Sequence, residues 1–88
     1  MSENKVKILF VCLGNICRSP MAEMIMKKMV KDARREEEFE ISSAATSDEV
    51  IGYDIYPPAK ECLRKHDIPF QKRGARQVTD EDYLGIVV

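Results

Sequence analysis

The segment Cys12-Leu13-Gly14-Asn15-Ile16-Cys17-Arg18-Ser19-Pro20 concentrates the residue types with the greatest chemical capacity in the chain. Cys12 follows directly on an apolar run, and the loop after it feeds into a helix start. Backbone N–H groups at a helix N-terminus point toward one centre, and the helix dipole adds about half a positive charge there. A thiol in that field deprotonates more easily and becomes a nucleophile near neutral pH. Five residues separate Cys12 from Arg18, enough to wrap a loop around a tetrahedral dianion. The amides of Leu13, Gly14, Asn15, Ile16 and Cys17 then grip three phosphoryl oxygens while the Arg18 fork bonds two of them. Gly14 allows close approach or an unusual backbone angle, and Asn15 tolerates left-handed geometry. Ser19 is placed to donate a hydrogen bond to the Cys12 sulfur, stabilising the thiolate as nucleophile and as leaving group.

These residues need a scaffold, and the flanking pattern supplies one. Lys5 to Val11 is nearly unbroken apolar sequence, as in a strand buried on both faces of a parallel sheet. Ser19-Pro20 reads as a capping hydroxyl with proline in the first turn. The apolar spacing of Ala22, Met26, Met29 and Ala33 extends an amphipathic helix from Pro20 to about Arg35. Phe39 to Ser43 reads as a second strand and Ala44 to Tyr56 as loop. Pro57-Pro58 opens a second helix with Ala59, Cys62 and Leu63 inward, ending near His66-Asp67. Leu84 to Val88 reads as the start of a third strand. This order predicts one α/β domain over residues 1–88, a parallel sheet with flanking helices, incomplete at its C-terminal side. The unfinished sheet predicts a homodimer or larger assembly with Tyr83 to Val88 at the contact.

Composition narrows the function. The chain of 88 residues is 44% hydrophobic and 33% charged, enough for a core. Its fourteen Lys and Arg against fifteen Asp and Glu leave a net charge of −1, which argues against nucleic acid held by bulk electrostatics. No apolar run approaches the roughly 20 residues of a membrane helix. The N-terminus lacks a secretory layout, and the three cysteines are an odd count, so a reduced cytoplasmic protein is expected.

The stretch Val11-Cys12-Leu13-Gly14-Asn15-Ile16-Cys17-Arg18-Ser19-Pro20-Met21-Ala22-Glu23 resembles the signature of the low-molecular-weight protein tyrosine phosphatases. Ser43-Ala44-Ala45-Thr46-Ser47, Pro57-Pro58-Ala59 and Ala75-Arg76-Gln77-Val78-Thr79 carry the resemblance across nearly the whole chain. It implies a Rossmann- or flavodoxin-like fold with a four-stranded parallel sheet. It also implies two-step hydrolysis of phosphotyrosine or another phosphomonoester through a phosphocysteine, with no metal or cofactor. Phosphate, sulfate and vanadate are the corresponding oxyanions. By the same resemblance Cys12 is the nucleophile, Arg18 the phosphate-binding arginine and Ser19 the hydroxyl that tunes the thiol. Asn15 holds the loop's shape with Ser43, and Cys17 is the partner in a protective disulfide or else a passive buried thiol. Glu49 and Tyr53 border the cleft, where Tyr53 could stack on the substrate ring.

Three departures stand out. Ala45 replaces a usual glycine, and Arg73-Gly74-Ala75-Arg76 lacks the histidine that often opens this stretch, leaving its supporting contact open. The family's general acid is an aspartate in a downstream Asp-Pro-aromatic loop, and Asp80 and Asp82 stand in a different context. Without that acid the first step slows by roughly 10²–10⁴-fold, so the 88-residue form is expected to be weak or inactive. Two alternatives share the loop. One is a phosphate- or phosphoprotein-binding or phosphocysteine-carrier module without turnover, favoured by the missing acid. The other is a thiol-dependent arsenate reductase, disfavoured by Pro20 and by the absence of cysteines after Cys62.

Overall fold

The computed structural model describes residues 5–79. The apolar run forms β1 (Val6–Cys12), and the chain continues through α1 (Arg18–Asp32), a single 3-10 turn (Glu36–Glu38), β2 (Phe39–Ala45) and α2 (Pro57–Lys65). β1 and β2 pair in parallel, from Val6 opposite Phe39 to Cys12 opposite Ala45. Parallel neighbours require a crossover, and α1 provides it, lying against both strands. On the edge of β2 away from β1, the Ala45 amide donates to Arg76 O at 2.7 Å and the Val78 amide donates to Ala45 O at 2.7 Å. The parallel Ala45–Gln77 bridge so formed lies in a stretch that the sequence pattern left irregular. The architecture is therefore α/β and parallel, as expected.

The core gathers where the helices meet. Met24 of α1 is buried with Ile55, Ala59 and Leu63, and Cys17, Met21, Ile68 and Phe70 pack around them. Burial of β1 on both faces is not met: Leu9 is buried, but Val6 and Val11 are 40% and 41% exposed. Val6 lies on one face and Val11 on the other, with Leu9, so the exposed positions fall toward the two ends of the strand and its middle is the buried part.

Both ends of α1 differ from the pattern-based boundaries. The helix starts at Arg18 with Cys17 as its N-cap and no side-chain cap, because the Ser19 hydroxyl is engaged elsewhere. Pro20 stands third in the helix, where its missing N–H has no helical acceptor to lose. The helix stops at Asp32 because Arg34 turns left-handed at φ 58°. The Arg34 amide then donates to Lys31 O at 3.0 Å and the Arg35 amide to Val30 O at 2.9 Å, a Schellman closure. α2 ends the same way: Asp67 has φ 54°, and the Ile68 amide donates to Leu63 O at 2.9 Å. Aspartate tolerates this conformation better than arginine does. Arg34→Gly is therefore expected to raise stability by about 0.5–1 kcal/mol, the strain of a Cβ at a position that favours glycine. Urea and thermal unfolding read it, and an unchanged or lowered midpoint would contradict it.

The expected third strand at Leu84–Val88, the contact stretch Tyr83–Val88, and Asp80 and Asp82 lie outside the described residues.

Candidate active site

Cys12 is the last residue of β1 and Arg18 the first of α1, so residues 13–17 must turn the chain between them. The segment after β2 holds this loop from outside. Amides of Thr46 and Ser47 donate to the carbonyls of Cys12 and Leu13 at 3.0 Å each, and the Tyr56 amide donates to Ile16 O at 2.6 Å. Gly14 serves close approach: a Cβ there would stand 3.1 Å from Val50 Cγ2. Asn15 takes the left-handed angle, φ 58°. With those three carbonyls tied outward, amide groups turn inward, and Asn15 N donates to Cys12 Sγ at 3.3 Å.

Asn15 is fully buried at 0% exposure, so all its polar capacity must be met inside the protein. Its Nδ2 donates to Ser19 Oγ at 2.8 Å and to Ser43 Oγ at 2.9 Å. Its Oδ1 accepts from the Arg73 guanidinium and, at 3.1 Å, from the Arg76 amide. These contacts direct the hydroxyl protons once Cys12 is a thiolate, which can only accept. Ser19 Oγ accepts from Asn15, so its own proton is free for Cys12 Sγ, 3.0 Å away. Ser43 Oγ likewise accepts from Asn15 and donates to Glu23 Oε1, while Glu23 Oε2 pairs with Lys27 at 2.6 Å. The chain of hydrogen bonds thus runs from the Lys27–Glu23 pair to the sulfur.

Burial pushes the Cys12 thiol up, but the Ser19 hydroxyl and the amides of Ser19, Asn15 and Gly14 outweigh it and hold the thiol below its ordinary range. The thiolate therefore forms at lower pH than in a free cysteine, and alkylation by iodoacetamide rises through that lowered midpoint. Ser19→Ala removes a stabilising donor, so the midpoint moves up and the rate at pH 6 falls about tenfold, the worth of one charge-assisted hydrogen bond. A profile superimposable on the parent's would show that Ser19 does not act on the sulfur.

The structure thus brings Cys12, Gly14, Asn15, Ser19 and Ser43 into one constellation. Arg18 stands exposed at the head of α1, and its side chain makes no hydrogen bond or ion pair among the described residues. Leu13 is 63% exposed, while Cys17 packs on the helix core. Glu49 and Tyr53 lie in the segment that wraps the loop, both side chains exposed.

Sequence reasoning missed two participants. Glu23 shares one helical stripe with Ser19 and Lys27 at four-residue spacing, and an acid on a buried stripe was the available signal. Arg73 corrects the expectation of an open contact after the lost histidine, because its guanidinium reaches Asn15 directly. Its backbone is fixed as well, with the amide donating to Asp54 Oδ1 at 3.2 Å. Asp54, bonded by Lys60 and by the amides of Ile55 and Arg73, is held down at about 2 and stays ionised above that pH. No local pattern announces Arg73, since the contact spans 58 positions in sequence.

The family model described as low molecular weight phosphotyrosine protein phosphatase matches residues 7–87. The human low molecular weight phosphotyrosine protein phosphatase is 46% identical over 88 residues, covering 94% of this chain and 52% of the relative. The crystal structure of YfkJ from Bacillus subtilis superimposes with a TM-score of 0.89 at 38% identity, over 93% of this chain and 52% of that one. The low molecular weight protein tyrosine phosphatase from Streptococcus pyogenes gives 0.81 at 38% identity, over 91% and 51%. The chain spans about half the length of these relatives. With its loop geometry, register and sequence in agreement, it belongs to the low molecular weight phosphotyrosine protein phosphatase family.

Proposed function

We propose that this chain carries the phosphoryl-binding and nucleophilic half of a protein tyrosine phosphatase site. The observation that supports this reading is the convergence of the Ser19 hydroxyl and the amides of Gly14, Asn15 and Ser19 on the Cys12 sulfur. Cys12 attacks phosphorus as thiolate, the bond to the tyrosine oxygen breaks, and the phosphoryl group passes to sulfur. Water then attacks phosphorus and returns the thiolate, which Ser19 stabilises as it leaves. The loop amides of Leu13, Gly14, Asn15, Ile16 and Cys17 and the Arg18 guanidinium hold the equatorial oxygens, where charge is greatest during transfer. Phosphotyrosine in a protein, or a small phosphomonoester, is the substrate class, with Glu49 and Tyr53 at the cleft rim. Thiolate chemistry of this kind suits the reducing cytoplasm.

The test uses p-nitrophenyl phosphate, whose leaving group needs little protonation. The chain is expected to release p-nitrophenol and to acquire a phosphoryl group on the peptide containing Cys12. Labelling of another peptide, or no product above buffer, overturns the reading.

A further inference from the structure

We infer that Arg73 is a positioning residue for the Cys12 thiolate, acting through Asn15. This inference rests on the phosphatase reading. Asn15 must present the two ends of its carboxamide in one fixed sense. Its amide sends one N–H to Ser19 and the other to Ser43, an orientation that frees the Ser19 proton for sulfur. A carboxamide flipped by half a turn would present Oδ1 to both hydroxyls, and Ser19 would then donate to Asn15 instead of Cys12. What sets the orientation is the pair of donors on the opposite side, the Arg73 guanidinium and the Arg76 amide. A guanidinium is a donor only, so it accepts no N–H from a flipped amide. Arg73 thereby selects the productive rotamer.

Arg73 is itself well placed for such a role. Its second nitrogen, Nη1, donates to Tyr53 O at 3.4 Å, and its amide is fixed on Asp54. The neighbouring backbone is clamped, with Gly52 N donating to Ala75 O at 2.8 Å and Ala75 N to Tyr53 O at 2.7 Å. A Cβ on Gly74 would stand 3.2 Å from Gly52 Cα and O, so the two strands of loop touch without side chains between them. The guanidinium therefore projects from a rigid base that joins the phosphate loop to the 46–56 segment. Burial lowers the guanidinium pKa, and Glu23, Asp54 and Cys12 oppose this in part by favouring the cation. Unlike an imidazole, it keeps its charge across the working range of the enzyme, so the orientation does not switch with pH.

The experiment compares Arg73→Met with Arg73→Lys, reading the pH profile of Cys12 alkylation and the binding of vanadate. Arg73→Met is expected to move the alkylation midpoint up and to weaken vanadate binding about tenfold, the effect of losing one hydrogen bond to a polar network. Arg73→Lys keeps a donor-only head group and is expected to recover most of both effects. An unmoved profile in Arg73→Met, or an equal loss in both variants, overturns the inference. Should Arg73→Met fail to fold, Arg73→Gln, whose Oε1 can accept from a flipped amide, takes its place: a midpoint raised above that of Arg73→Lys supports the role and a profile equal to the parent's refutes it. A parent chain that binds no vanadate and has an ordinary thiol would instead refute the phosphatase reading, which keeps the two failures apart.

Discussion

Cys12→Ser is expected to abolish transfer of the phosphoryl group from p-nitrophenyl phosphate, a fall of about 10⁴-fold or more, because removing a covalent nucleophile removes the pathway and not one contact. A serine hydroxyl in the same place is far less ionised than the thiol, and nothing in the loop is a base for it. The geometry that binds the oxyanion stays intact in this variant, since the amides and Arg18 belong to the backbone turn and to α1. Sulfate and phosphate should therefore bind at least as tightly as in the parent, with one negative charge removed from beneath them. Vanadate, which bonds to the sulfur, should lose its advantage over sulfate. Calorimetric titration of the three anions, beside single-turnover kinetics, separates chemistry from binding. Retained transfer in Cys12→Ser would show that Cys12 is not the nucleophile. Loss of sulfate binding would show instead that the substitution had collapsed the loop.

Much of this arrangement is legible in the sequence because it is local. The run from Lys5 to Val11, the turn residues Gly14 and Asn15, and Pro20 within the first helical turn each impose conformation on a few neighbours. Such signals place β1, the loop and α1 in order, and order is nearly all that the constellation of Cys12 with Ser19 requires. Boundaries were less legible. Ser19 reads as a cap because capping is the common use of a serine before proline, but the Cys12 sulfur and the Asn15 amide compete for the same hydroxyl and win. The end of α1 was hidden because an arginine occupies the left-handed position, where a glycine would have announced it. Long-range contributions left no local trace. Asn15 meets Ser43 across 28 positions and Arg73 across 58, and only the fold brings them together. Gly74 belongs to the same group, since its need for close approach to Gly52 arises from the packing of two loops.

Asn15→Ala should be the most destabilising single change among these residues, at about 3–5 kcal/mol. The estimate comes from two separable costs. Four hydrogen bonds disappear at once, to Ser19, Ser43, Arg73 and Arg76, inside a site from which water is excluded around Asn15. Buried donors and acceptors left without partners cost about 1–3 kcal/mol apiece when they cannot rearrange, and the hydroxyls here can rearrange in part. Alanine at φ 58° adds about 1 kcal/mol of backbone strain that asparagine tolerates. Asn15→Gly isolates the two, because it loses the same hydrogen bonds without the strain. It should recover about 1 kcal/mol relative to Asn15→Ala. Both variants should raise the Cys12 alkylation midpoint, since Ser19 loses the donor that directed its proton to sulfur and the loop loses its central tie. Against a typical domain stability of about 5–15 kcal/mol, such a loss consumes a large part of the total, so urea unfolding near 10 °C is the suitable measurement. A destabilisation under about 1 kcal/mol would mean that water or a shifted Arg73 satisfies the orphaned groups, and that Asn15 does not hold this loop together.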